Sequence, residues 1–269
     1  MERPVLPGRG VPLQGRCNNS IGSGANQVAS RMFLCRVERY LYLLLDLASV
    51  AFPLLASFEP RIRFRTKWNG LFTGIAVMML VFIPWDAAFT SMGVWGFNPR
   101  YLIGIDILGL PLEEWLFFVC IPYACLFLYE VMRYAAPSDP LGTIARPLSI
   151  GLIVLLLITG LLHLDRLYTS ITFLATAAFL AYHVFVVRSP WLGHFYLGYA
   201  ISLIPFILVN GILTGWLLPE PVVWYKDAEN LGIRINTIPI EDSMYMLLML
   251  LIVTTFHERG SKPMVEGRK

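Results

Sequence analysis

The chain has 269 residues, of which 57% are hydrophobic and only 14% charged, with a formal net charge of +3. An ordinary soluble domain carries about 25% charged residues, so the composition excludes that class and points to a polytopic membrane protein. The small positive charge sits mostly in the first 39 residues and gives no basis for binding nucleic acid.

In chain order, residues 1–31 are rich in Gly, Ser, Asn and Pro, show no periodicity and read as a disordered tail. They lack the apolar core of a signal peptide. The stretch GSGANQ (Gly22 to Gln27) has no preceding strand, no following helix and no third Gly, so it does not make a dinucleotide fingerprint. Apolar runs near the twenty residues that cross a bilayer then recur at roughly 38–57, 69–91, 111–130, 147–163, 169–187, 195–217 and 239–257. The fold expected is all-α, with about seven transmembrane helices. Pro53, Pro84 and Pro205 fall inside three of the runs, where neighbouring helices can tolerate them. Cys120 and Cys125 lie in the third run and Cys17 and Cys35 in or near the tail; none has metal-ligand spacing, so packed free thiols are expected.

All 21 Lys and Arg lie outside these runs or at their edges. One set of alternating loops holds Arg61, Arg63, Arg65, Lys67, Arg133, Arg146, Arg188 and the basic C-terminal tail. The other set holds only Arg100, Arg166, Lys226 and Arg234. The positive-inside rule then predicts a cytoplasmic C-terminus in a multi-pass protein of the cell membrane. The arginines of the N-terminal tail run against that bias.

The third and seventh runs open alike, with PLEEWLFF and IPIEDSMY. Aligning them puts Pro111 on Pro239, Glu113 on Glu241 and Glu114 on Asp242. The same offset carries Gly96 onto Trp224 and Tyr129-Glu130 onto His257-Glu258. With small gaps, Asp86 and Thr90 match Asn210 and Thr214, and Arg65 and Trp68 match Arg188 and Trp191. The expected organisation is a first repeat at 32–130, a linker with the fourth helix at 131–168, a second repeat at 169–258 and a tail at 259–269. Matched helices cross in the same direction, which predicts a parallel repeat about an axis near the membrane normal.

Asp46, Asp86, Glu113, Glu114, Glu241 and Asp242 sit within or at the mouths of the runs without basic partners. Burial favours their neutral acid form, and two adjacent carboxyls resist joint ionisation. That suits a general acid acting on an apolar substrate. Helix capping is the competing reading, because Pro at the first helical position followed by acids makes a good helix start. Helical spacing places Glu113 with Phe117, Glu114 with Phe118 and Glu241 with Tyr245. Aromatic faces attract cations, so acids beside aromatics match carbocation chemistry. Packing and interfacial belts are expected for Trp95, Trp191, Trp216 and Trp224. Asp86 and Asn210 are candidates for function or for helix–helix hydrogen bonding. His183 reads as a hydrogen-bonded core histidine.

At PLEEWLFF, IPIEDSMY, VNGILTG, WGFNPRY and YLYLLLDLASVAFPLLASFE, over about residues 36–258, the chain resembles the membrane-integral lycopene cyclase family. That family occurs as two small subunits, as fusions, and as the cyclase part of fungal bifunctional carotenoid enzymes. The resemblance implies acid-catalysed closure of the ψ ends of lycopene to β-ionone rings, through γ-carotene to β-carotene. This is an isomerisation that needs no cofactor. It implies a lipid-soluble carotenoid substrate held in membrane lipid, and association with other carotenoid enzymes. Glu113, Glu114, Glu241 and Asp242 are the catalytic candidates, with Asp86, Asn210, Phe117, Phe118 and Tyr245 as substrate-binding ones. Acid and base are not assigned among them. Ser-Met after IED departs from the bulkier residues expected there and leaves ring type open, including rings on fifty-carbon carotenoids. Among rivals, a prenyltransferase would need Asp-rich Mg²⁺ motifs and a retinal protein an intramembrane lysine; neither is present. A transporter with acidic relays is the non-enzymatic alternative.

Overall fold

The computed structural model describes residues 37–260. The readings of the N-terminal tail, of Gly22 to Gln27, of Cys17 and Cys35, and of the chain after Gly260 lie outside these residues. Among the described residues the α-helices are α1 (Leu41–Ala56), α2 (Trp68–Met92), α3 (Leu112–Ala135), α4 (Gly142–Leu162), α5 (Leu167–Ala181), α6 (Leu192–Leu213) and α7 (Ile240–Gly260). A 3₁₀ turn at Phe64–Lys67 leads into α2, and α5 continues as a π-helix over Tyr182–Val187. Six of these helices are long and apolar enough to cross a membrane, whereas α1, with 16 residues, is shorter. Each agrees with its apolar run to within a few residues, because a helix is the local way to satisfy every backbone polar group in hydrocarbon.

The helices pack reciprocally. Within the halves α1 lies on α3 and α5 on α7; between them α2 lies on α7 and α6 on α3, while α4 flanks α5 and α6. Close approach relies on small residues at both crossings. A Cβ on Gly74 would sit 2.6 Å from the Val253 carbonyl oxygen, and one on Gly198 would sit 3.0 Å from the Tyr129 Cα.

Short strands seal one end of the bundle. β1 (Trp95–Phe97) pairs antiparallel with β4 (Val223–Tyr225) in the register Trp95 to Tyr225, Gly96 to Trp224 and Phe97 to Val223. Gly96 and Trp224 are also partners in the repeat alignment, so this pair sits where a two-fold relation between the halves would pass. The two loops meet on one face, as a parallel repeat requires. Two hairpins, β2 (Asp106–Ile107) with β3 (Leu110–Pro111) and β5 (Arg234–Ile235) with β6 (Ile238–Pro239), lead straight into α3 and α7. The first turns at Leu108 and Gly109, with φ +55° and +81°, a type I′ pattern. Pro111 and Pro239 thus end strands one residue before their helices rather than opening them.

Candidate active site

The segment before each hairpin is bonded to the first acid of the pair that follows. In the first half the Ile103 N–H donates to Glu113 Oε1 at 2.7 Å, and in the second the Leu231 N–H donates to Glu241 Oε1 at 2.7 Å. Thr169 Oγ1 adds a bond to the same Glu241 oxygen at 2.6 Å. Both glutamates are completely buried, and neither lines the chamber described next. The first acid of each pair therefore pins its loop to its helix.

The second acids turn the other way. Glu114 and Asp242 both line an internal chamber of about 60 Å³, together with Asp86 and Asn210. Glu114 Oε2 accepts from Tyr42 Oη at 2.6 Å. Glu114 and Asp86 both belong to the first half and line this one chamber, and two carboxyls buried close together resist joint ionisation. Asp86 Oδ1 also accepts from Trp95 Nε1 at 2.6 Å. In the second half Asp242 acts as an acceptor. It receives Tyr168 Oη at 2.5 Å, Asn210 Nδ2 at 2.7 Å and Tyr225 Oη at 2.9 Å. Burial, and then the nearby Asp242 carboxyl, push the Tyr225 phenol well above its ordinary range, which keeps it a donor.

Aromatic rings make up most of the remaining wall. Tyr245 packs edge-on to Phe82 at 4.7 Å and Trp85 at 5.3 Å, Trp95 meets Tyr168 at 5.0 Å, and Tyr168 stacks on Tyr225 at 5.8 Å. Phe117 lines the chamber, whereas Phe118 is fully buried in the core against Phe82 at 6.0 Å. The chamber faces of the helices run Glu114, Phe117, Ile121 and Asp242, Tyr245, Met249. The aromatic partner of each acid is thus three residues on, not the four expected.

The structure therefore brings Glu114, Asp242, Asp86, Asn210, Phe117 and Tyr245 together and leaves Glu113, Glu241 and Phe118 outside. It also adds Tyr42, Trp95, Tyr168 and Tyr225. Trp95, expected as packing or belt, is buried and bonded to Asp86. A signal for two of these was present, since Tyr42 and Tyr168 open the first helices of the two halves. His183 is a core histidine, bonded to Ser189 Oγ at 2.7 Å and Thr255 Oγ1 at 3.0 Å. Cys120 and Cys125 are buried free thiols.

The family model for lycopene cyclase matches the chain twice, at residues 39–132 and 165–259. The chain belongs to the lycopene cyclase family. That membership agrees with the six helices long and apolar enough to cross a membrane. It is also 30% identical over 95 residues to a bifunctional lycopene cyclase/phytoene synthase of Aspergillus oryzae (strain ATCC 42149 / RIB 40). That match covers 35% of this chain and 16% of the relative's length. No solved structure matches.

Proposed function

We propose that this cyclase is a lycopene β-cyclase in which the Asp86–Glu114 pair is the acid and Asp242 the base. The observation that supports the assignment is one aromatic chamber lined by two carboxyls of the first half, Asp86 and Glu114, and by Asp242 of the second half, which accepts from three donors. Two carboxyls buried close together favour a protonated acid, and three donors favour a carboxylate. Glu114 delivers a proton to the terminal double bond of a ψ end, leaving a tertiary cation. The internal alkene attacks it, the ring C–C bond forms and the positive charge moves into the ring. Asp242 then takes the neighbouring ring proton, which closes the ring double bond. Protons in and out balance, and no electrons are exchanged.

The rings of Trp95, Phe117, Tyr168 and Tyr245 shelter the cation through their negative faces. Which proton Asp242 removes decides the ring type, and the β ring follows from removal at the carbon where the new bond forms. The product route is γ-carotene and then β-carotene. The repeat at 32–130 contributes Asp86 and Glu114 and the repeat at 169–258 contributes Asn210 and Asp242 to a single composite site, in a cell-membrane protein with a cytoplasmic C-terminus.

The test is expression of the whole chain in a lycopene-accumulating host, with pigments separated by chromatography. β-Carotene is the expected product of the wild type. Lycopene left unconverted, with the protein present in the membrane, would refute the reading.

A further inference from the structure

The acid chamber is too small for a carotenoid, and a second cavity adjoins it. Phe117, Ile121, Phe206 and Asn210 line both. The second is a groove of about 390 Å³ between α1, α3 and α6, almost wholly apolar. It shares Phe52, Phe127 and Leu128 with a further cleft that reaches Val131. From Glu114 to Val131 along α3 is about 25 Å at 1.5 Å per residue. On α1 the exposed side chains of Phe52, which lines the groove, and Leu55, which lines the cleft, face lipid.

The groove exists because its walls are small where the other half is large. Ala124, Cys125, Ser202 and Val209 line it. Their partners in the repeat alignment are Ile252, Val253, Met78 and Trp85. On that side Met78, Phe82 and Val253 are fully buried, and the rings of Phe82 and Trp85 close on Tyr245. Two-fold architecture therefore carries a one-sided opening.

Resting on the cyclase reading above, we propose that the α1–α3–α6 groove binds the linear polyene chain of the substrate while one ψ end occupies the acid chamber. Ala124 and Ser202 are the residues that keep it open. One end reacts per visit, and the half-cyclised carotenoid leaves and returns reversed before the second closure.

The test rebuilds the plug of the other half with Ala124→Ile/Ser202→Met, residues this fold already accommodates at the equivalent places. The whole protein is studied in lipid nanodiscs. Binding is read separately from chemistry, as the induced circular dichroism of lycopene in a Glu114→Gln background. The expected result is an induced band that the plug variant loses, and at least tenfold slower lycopene turnover when the plug is placed in the wild type, with an unchanged thermal midpoint. With lycopene in excess, monocyclic product is expected to build up before dicyclic. An undiminished band and rate in the plug variant, or dicyclic product from the first turnover without free monocyclic, would overturn the groove proposal. Turnover persisting in Glu114→Gln would instead remove the acid assignment and leave the binding result to judge the groove.

Discussion

Ile103 and Leu231, 128 residues apart, hold matching places: each gives its backbone N–H to the carboxylate ten residues further on, at 2.7 Å. That bond divides each acid pair into a residue that anchors a loop and a residue that faces the chamber. The division separates the effects of substitutions on neighbouring glutamates.

Glu114→Gln is expected to lower lycopene conversion by about 100-fold or more, the range of a lost general acid. Glu113→Gln keeps an oxygen to accept the Ile103 N–H and should retain most activity. Glu113→Leu leaves that N–H without its acceptor and should cost about 1–3 kcal/mol of stability. Pigment chromatography and thermal unfolding of the three variants give the comparison; equal losses in Glu113→Gln and Glu114→Gln would contradict the division.

Asp242→Asn removes the proposed base and should leave lycopene unconverted. Tyr225→Phe and Asn210→Leu each remove one of the three donors to Asp242 and should slow turnover about tenfold, in line with about 1–1.5 kcal/mol for one hydrogen bond. Rates measured in nanodiscs check the order. Full activity in Asp242→Asn would dismiss it as the base.

Gly74→Val should destabilise the bundle by about 1–3 kcal/mol through overpacking, because its Cβ would lie 2.6 Å from the Val253 carbonyl oxygen with α7 backbone in the way. A thermal midpoint equal to the wild type would show that α2 and α7 can separate freely there.

At the opposite end of the helices Lys67 Nζ lies 2.5 Å from Glu130 Oε2, and Glu130 is also bonded to His257 at 2.7 Å. Lys67→Met should cost about 1–3 kcal/mol, the range of one charged hydrogen bond, because Glu130 keeps Arg133 at 3.5 Å and its bond to His257. The product pattern should stay the same, since this cluster lies about 24 Å along α3 from Glu114. A changed ring type in Lys67→Met would link the two ends.

The helices and the acid pairs were legible because both are local properties. Hydropathy over about twenty residues locates a span wherever the solvent is lipid, and PLEE and PIED stand out by recurrence alone. Tyr225 and Trp95 were not legible as site residues. Each lies in a short strand outside any helical period, and each reaches its acid only because β1 pairs with β4.

The amino-acid order alone determined a duplicated helical membrane protein with carboxyls at two matched helix starts, because helix formation in lipid and internal repetition need no knowledge of distant partners. Only the tertiary packing decided that Glu114 and Asp242 share a chamber while Glu113 and Glu241 tie down loops, and that one half opens a groove the other fills. Which side of a helix faces a partner is set by how the helices cross. At those crossings a glycine, an alanine or a methionine settles whether two surfaces touch or part.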